Sequence, residues 1–157
     1  MLTDDTHHLL ALWAADCAEH VVCLFERLRQ DERPRAAIEA TRAWVAGAMT
    51  MTECKLFAGA AQSAARELTA VSQAARLAAL AAGQAAVVAH VAAHELGASA
   101  YAIRAVVESA PKSDRETVRL AERDWQRGRL PEPIRALVLD DQRLRNDICW
   151  RVFGDEQ

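Results

Sequence analysis

The sequence contains six glycines and four prolines in 157 residues, and no glycine neighbours another. Isolated glycines exclude a phosphate-cradling loop, and no glycine-flanked turn is present that could present a nucleophile. Aromatic residues make up only 5% of the chain, and β-branched or aromatic runs are nearly absent, which argues against a sheet. Neither charge sign dominates: 19 Lys and Arg face 22 Asp and Glu, for a net charge of -3. Such a chain has no broad field for capturing nucleic acid or an acidic membrane surface. The start, "MLTDDTHH", is acidic where a secretory leader would be basic and then apolar, so a cytoplasmic chain is expected, with Cys17, Cys23, Cys54 and Cys149 as reduced thiols. Val87 to Ala93 is read as the nearest thing to a membrane-type apolar run, interrupted by Gln84, His90 and His94. It falls short of the roughly 20 residues of a membrane span, so none is expected. No Gly-rich or Ser-rich linker divides the chain, and one domain over residues 1–157 is expected.

What the chain has is alanine, 34 residues of it, which favours helix and lets helix backbones approach closely. Leu10, Trp13, Ala14, Cys17, Val21, Leu24, Phe25 and Leu28 recur at three-and-four spacing, predicting an amphipathic helix over 6–29. Asp31 as cap, Pro34 in the first turn and Gly47 at the end predict a second helix over 33–46. "TMTE", Thr50 to Glu53, has the form of a capping box for a third helix ending near Glu67. Residues 70–109 are helical in pattern throughout. At about 1.5 Å per residue an unbroken helix would outrun a compact domain of this size. A break at Gly83 or within His90 to Gly97 is therefore expected, and the polar residues favour the second place. Ser113 and Glu116 suggest another capping box, for a helix over 114–127, and a last helix is predicted over 133–150, closing at Gly154. The expected fold is all-α, a bundle or irregular array of six to seven helices with Ala-rich central helices.

Residues 50–110 carry four basic and four acidic side chains, whereas residues 111–157 carry ten of each. The central helices should therefore be the buried hub. A weak repeat, "ATRAWVAG" at 40–47 and "AERDWQRG" at 121–128, with a looser echo at Trp150 to Gly154, suggests tryptophan in a last helical turn followed by a left-handed glycine.

Two groups of side chains are candidates for function. His90 and His94 stand one turn apart in "AHVAAHELG", as do Asp16 and His20 on the first helix. Together they could supply four ligands for a metal-binding protein or metal-dependent enzyme. No zincin base is present, since Val91 occupies that position, and no Glu-x-x-His motif marks a di-iron bundle. The preferred reading is a polar core cluster of Asp16, His20, His90 and His94 that fixes how featureless Ala-rich helices face one another. The second group, Arg115, Arg119, Arg123 and Arg127, forms a ladder at i+4 intervals opposite Val118, Ala121 and Trp125. It could grip a partner's carboxylates, but Glu116, Glu122 and Asp124 make a solvated, self-paired face the simpler expectation.

The stretches "LALWAADCAEHV", "RPRAAIEATRAW", "AAGQAAVVAHVAAHELGASAYAIRAV" and "LVLDDQRLRNDICWRVF" together resemble a bacterial family of small all-helical immunity proteins of polymorphic toxin systems. The resemblance spans nearly the whole chain. It implies a cytoplasmic protein that neutralises a cognate toxin by binding it, with no cofactor and no catalytic residues. At Ala93 the resemblance leads to an expectation of proline, so a softer helix break is expected. A structural helical interaction module is a further alternative.

Overall fold

The structure, a computed structural model, describes residues 2–155 and contains only helices and turns among them. Helix α1 (Asp4–Val21) begins where the Thr3 hydroxyl accepts the Thr6 N–H at 3.2 Å, with Asp4 and Asp5 in its first turn. After Val22 it continues as the single turn α2 (Cys23–Glu26). Helix α3 (Arg33–Val45) starts at Pro34, with Asp31 accepting the Arg33 N–H, and it is followed by Gly47 at φ 75, the left-handed residue expected there. Helix α4 (Met51–Arg66) carries the full Thr50–Glu53 capping box. Helix α5 (Gln73–Val87) is capped by Ser72. The chain then breaks through Val88 to Val91 and a short 3-10 turn, Ala92–His94, before α6 (Glu95–Ser109). Helices α7 (Arg115–Gly128) and α8 (Glu132–Arg145) follow, and a 3-10 turn, Asp147–Cys149, ends the helical part.

Helix α5 is the hub, packed on α4 and α6 and touching α1, α2 and α3. Past its first two residues only the face of Arg76, Leu80, Gln84 and Val87 is half-buried, and the fully buried residues of the helix other than Leu77 are alanine or Gly83. A methyl group at Gly83 would come within 3.3 Å of the Ala58 carbonyl oxygen and 3.2 Å of Gln62 Cγ, so α4 and α5 lie close because glycine is there. Gly83 therefore serves helix packing, and the break falls at the other expected place. Ala93 lies inside the 3-10 turn.

Four expectations are corrected. The Ser113–Glu116 capping box does not form: the Ser113 hydroxyl turns to Asp114, and Glu116 accepts from Arg119 instead. The last helix stops at Arg145, and Trp150 and Arg151 both take left-handed backbone angles, φ 55 and 59. The tryptophan–glycine echo is thus not a shared device: Gly128, in the second copy, is the last residue of its helix without a left-handed angle, and at the third copy the tryptophan itself is left-handed. The stretch Asp4–Glu26 is long and apolar enough, by length and composition, to cross a membrane, contrary to the expectation that no segment was. More than half of its most apolar window is buried in this molecule, with Trp13 and Phe25 among the core side chains.

Candidate functional site

Helix α7 faces the core with its polar side. Arg119, Glu122, Arg123 and Gln126 are buried, whereas Ala121 is exposed and Val118 and Trp125 are half-buried. This reverses the orientation expected from the apolar stripe. A buried charged group requires partners, and each of these has them. Glu122 lies 2.9 Å from His20 Nδ1 on α1, and the His20 ring stacks on Trp125. Against a carboxylate Nδ1 must be the protonated nitrogen. The Gln126 side chain donates to the Ser99 carbonyl on α6 at 3.1 Å, and the Gln126 main-chain carbonyl accepts from the Trp13 indole at 2.9 Å. One turn after another, α7 is bonded to α1 and α6.

The arginine ladder does similar work on the other flank. Arg119 donates to the carbonyls of Val152 and Gly154, both at 2.8 Å. Arg123 donates to the Gly154 carbonyl and the Asp155 carboxylate, both at 2.9 Å. Arg127 donates to the Phe153 carbonyl at 3.0 Å and to Gln142 at 2.9 Å. Arg115, at the near end, reaches the Ala110 carbonyl and Glu108. Three of the four arginines therefore staple the C-terminal hook, residues 146–155, to the body. The expectation of a solvated ladder is corrected here, while its self-pairing holds in part, since Arg119 also bonds Glu116 and Arg123 also bonds Asp124. The staple was not legible, because the acceptors are main-chain carbonyls remote in sequence.

The expected polar cluster is divided between two places, and at one of them Asp16 and His20 turn to different partners. His7 near the start of α1 bonds the Val88 carbonyl, which puts the α5–α6 break beside that end of α1. His20 is thirteen residues further on, about 20 Å along the helix. Asp16 pairs with Arg42 of α3 at 2.9 Å, in a partly exposed lattice that includes Glu19. His94 Nδ1 pairs with Gln84 Oε1 at 2.6 Å, and burial, with His90 and Arg145 nearby, holds its pKa below the usual value. His90 Nδ1 is buried without a protein partner. The four residues do not converge, and among the described residues no group of three or more His, Cys, Asp and Glu side chains is placed to hold a metal ion. The physical reason is that α7, invisible as a partner in the sequence pattern, supplies Glu122 to His20.

Sequence reasoning missed Glu95. It is almost fully buried, and burial, with Asp141 nearby, pushes its carboxyl up to about 7. Its closest cation is Arg145, 3.8 Å away, and Oε2 has no partner. Beside it opens a groove of about 290 Å³, lined by His94, Tyr101, Arg145, Ile148 and Trp150 among others. A second groove, of about 300 Å³, lies over His20 with Asp16, Glu19, Trp125 and Arg129 on its walls, and no hydroxyl or thiol side chain lines it. Of the thiols, Cys17, Cys54 and Cys149 are buried and Cys23 is half-buried; burial pushes the Cys54 thiol up to about 11, and Cys149 borders the first groove. What the arrangement provides is a cross-braced helical body with its charge turned inward and a shallow aromatic groove at the C-terminal end.

No curated protein and no solved structure matches the chain. Residues 1–133 match the model of one family, the Imm-5 like putative immunity protein. That span takes in α1 to α7, the hub and the His20–Glu122 brace, and ends at the start of α8. The chain belongs to the Imm-5 like putative immunity protein family.

Proposed function

We propose that this protein neutralises a cognate bacterial toxin by binding it in the cytoplasm, without catalysing a reaction itself. The observation that carries this reading is the family match over residues 1–133, since a fold alone does not give a function. The geometry is in keeping with it. A binder gains affinity when its surface is ordered before the encounter, and the braces from α7 to α1, α6 and the C-terminal hook provide that order. The metal-dependent alternative through His90, His94, Asp16 and His20 is not carried forward, because those side chains lie in separate places.

The test is protection. Expression of the toxin encoded by the neighbouring gene should arrest a sensitive bacterial host, and co-expression of the full-length chain should restore growth. The two proteins should then co-purify as a complex of fixed stoichiometry. A full-length, folded chain that neither restores growth nor binds the toxin overturns the reading.

A further inference from the structure

Several of the large apolar side chains left in solvent gather at one end of the molecule. Leu137, Leu144 and Ile148 stand at i, i+7 and i+11 along α8 and the turn that continues it, so they share a face. Leu144 is 63% exposed and Ile148 73%. Ile148 and Trp150 line the same groove as Val91 and Tyr101. Exposed apolar residues scattered singly mean little, whereas a contiguous set marks an interaction surface.

The backbone holds this surface in an unusual shape. Trp150 and Arg151 occupy the left-handed region that L side chains rarely adopt. Such angles persist only where the surroundings impose them. Here Asn146 accepts the Phe153 N–H through its side chain and the Arg151 N–H through its carbonyl, and Arg119, Arg123 and Arg127 hold the carbonyls that follow. The indole of Trp150 is left 44% exposed beside Tyr101, with ring centroids 5.0 Å apart.

The charge at its edge has no ion pair, although Glu108, one turn along α6 and 3.5 Å from Arg115, bears on it. The Arg104 guanidinium lies 4.2 Å from the centroid of the Trp150 ring, and among the described residues no carboxylate is within ion-pair distance of it. Arg76, whose charge also bears on Arg104, bonds only the Gln73 side chain. An apolar floor beside a guanidinium that has no ion pair of its own is complementary to an apolar side chain next to a carboxylate.

We propose that the toxin docks on this face, seating an apolar side chain between Ile148 and Trp150 and a neighbouring carboxylate on Arg104. This rests on the immunity reading and adds the face and the chemistry of the segment it receives. The family match ends at residue 133, and α8 with its hook lies beyond it. The shared part of the chain supplies the scaffold, and the C-terminal part supplies most of the surface that selects the partner.

The probe is the toxin domain that the chain protects against in the growth test, inactivated by substitution and titrated calorimetrically into the full-length chain. Ile148→Asp, Trp150→Ala and Arg104→Glu should each weaken binding roughly tenfold or more, as central interface residues do. Leu56→Asp, at an equally exposed apolar site on α4, should change it less than about twofold. Native-like thermal melting identifies the variants that are folded. A toxin variant with its contacting carboxylate reversed to Lys should recover affinity for Arg104→Glu. Undiminished binding by folded Ile148→Asp and Trp150→Ala overturns the docking face and leaves the immunity reading standing, whereas a wild-type chain that does not bind removes both. A wild-type dimer that Ile148→Asp converts to monomer, seen by sedimentation, would assign the face to a second copy of this chain and overturn the proposal.

Discussion

The imidazole of His20 lies flat on the indole of Trp125, with ring centroids 3.5 Å apart and planes 6° from parallel. The stacking joins α1 to α7, and it places Nδ1 2.9 Å from the buried Glu122 carboxylate. Glu122 also lies within 3.4 Å of Gln126, which reaches α6. His20 of α1, Glu122 and Gln126 of α7 and the Ser99 carbonyl of α6 thus form one continuous polar brace, and a brace of this kind is worth more than separate contacts because each member orients the next.

Glu122→Ala should therefore destabilise the protein by about 1–3 kcal/mol, the range for stranding buried hydrogen-bonding groups. His20→Ala should cost less, since the ring is 39% exposed and solvent replaces part of its interaction. Urea unfolding of the two single variants and the double variant measures the coupling, expected at roughly 0.5–2 kcal/mol for residues in one network. Additive effects would show that the brace is not a unit.

Arg119→Ala should release the C-terminal hook, because its guanidinium donates to both the Val152 and Gly154 carbonyls from a fully buried position. A loss of about 2–3 kcal/mol is expected from bonds to a charged donor. Arg119→Lys should recover only part of it, as an ammonium lacks the planar fork. Hydrogen exchange should quicken at residues 149–154 while α5 stays protected. Unchanged exchange there would mean that the arginines do not hold the hook.

Glu95 makes stability depend on pH. Its carboxyl titrates at about 7 when folded, against 4.5 for an ordinary glutamate. The folded chain keeps a proton that the unfolded chain gives up between those values, so stability falls as pH rises from 4.5 to 7 and stays low above. The gap corresponds to on the order of 3 kcal/mol. Glu95→Gln should remove this slope and exceed the native protein in stability above pH 7, as followed by urea unfolding at several pH values. His94, whose pKa is held below its usual value, works the other way, losing stability as pH falls below 6.5. The difference between native and variant curves isolates Glu95.

Two glycines should respond oppositely to alanine. At Gly59, on the open side of α4, an added methyl meets nothing within 4 Å, and the better helix propensity should stabilise by about 0.5–1 kcal/mol. At Gly83 the methyl would press on the α4 backbone at Ala58. Overpacking, typically about 1–3 kcal/mol, should outweigh the propensity gain. Thermal melts of the two variants moving in opposite directions would confirm that α4 and α5 are in contact through Gly83.

Much of the fold is legible in local sequence. Thr50 and Glu53 specify a helix start through their own backbone, and Gly47 specifies a stop. The polar residues at His90 and His94 mark the break in a helical run, and 34 alanines with few charges mark the central helices as the hub. The candidate sites were less legible, for a common reason. Asp16 and His20 were read with the wrong partners because a side chain's partner on another helix has no local signature. The α7 stripe of Val118, Ala121 and Trp125 pointed inward by hydrophobicity, yet the buried face is Arg119, Glu122, Arg123 and Gln126. Hydrophobic periodicity assumes that burial is apolar, and it fails where remote carbonyls and carboxylates satisfy the charges.

By itself the sequence determined that this chain is helical, where most helices begin and end, and which of them are buried, since caps, propensity and alanine content act within a few residues. Only the tertiary structure decided that His20 answers to Glu122, that three arginines fasten the chain end, and that Trp150 and Ile148 face solvent beside Arg104. Each of those depends on groups tens of residues apart meeting at hydrogen-bond or van der Waals distance, and the packing of α7 and α8 on the hub sets that distance.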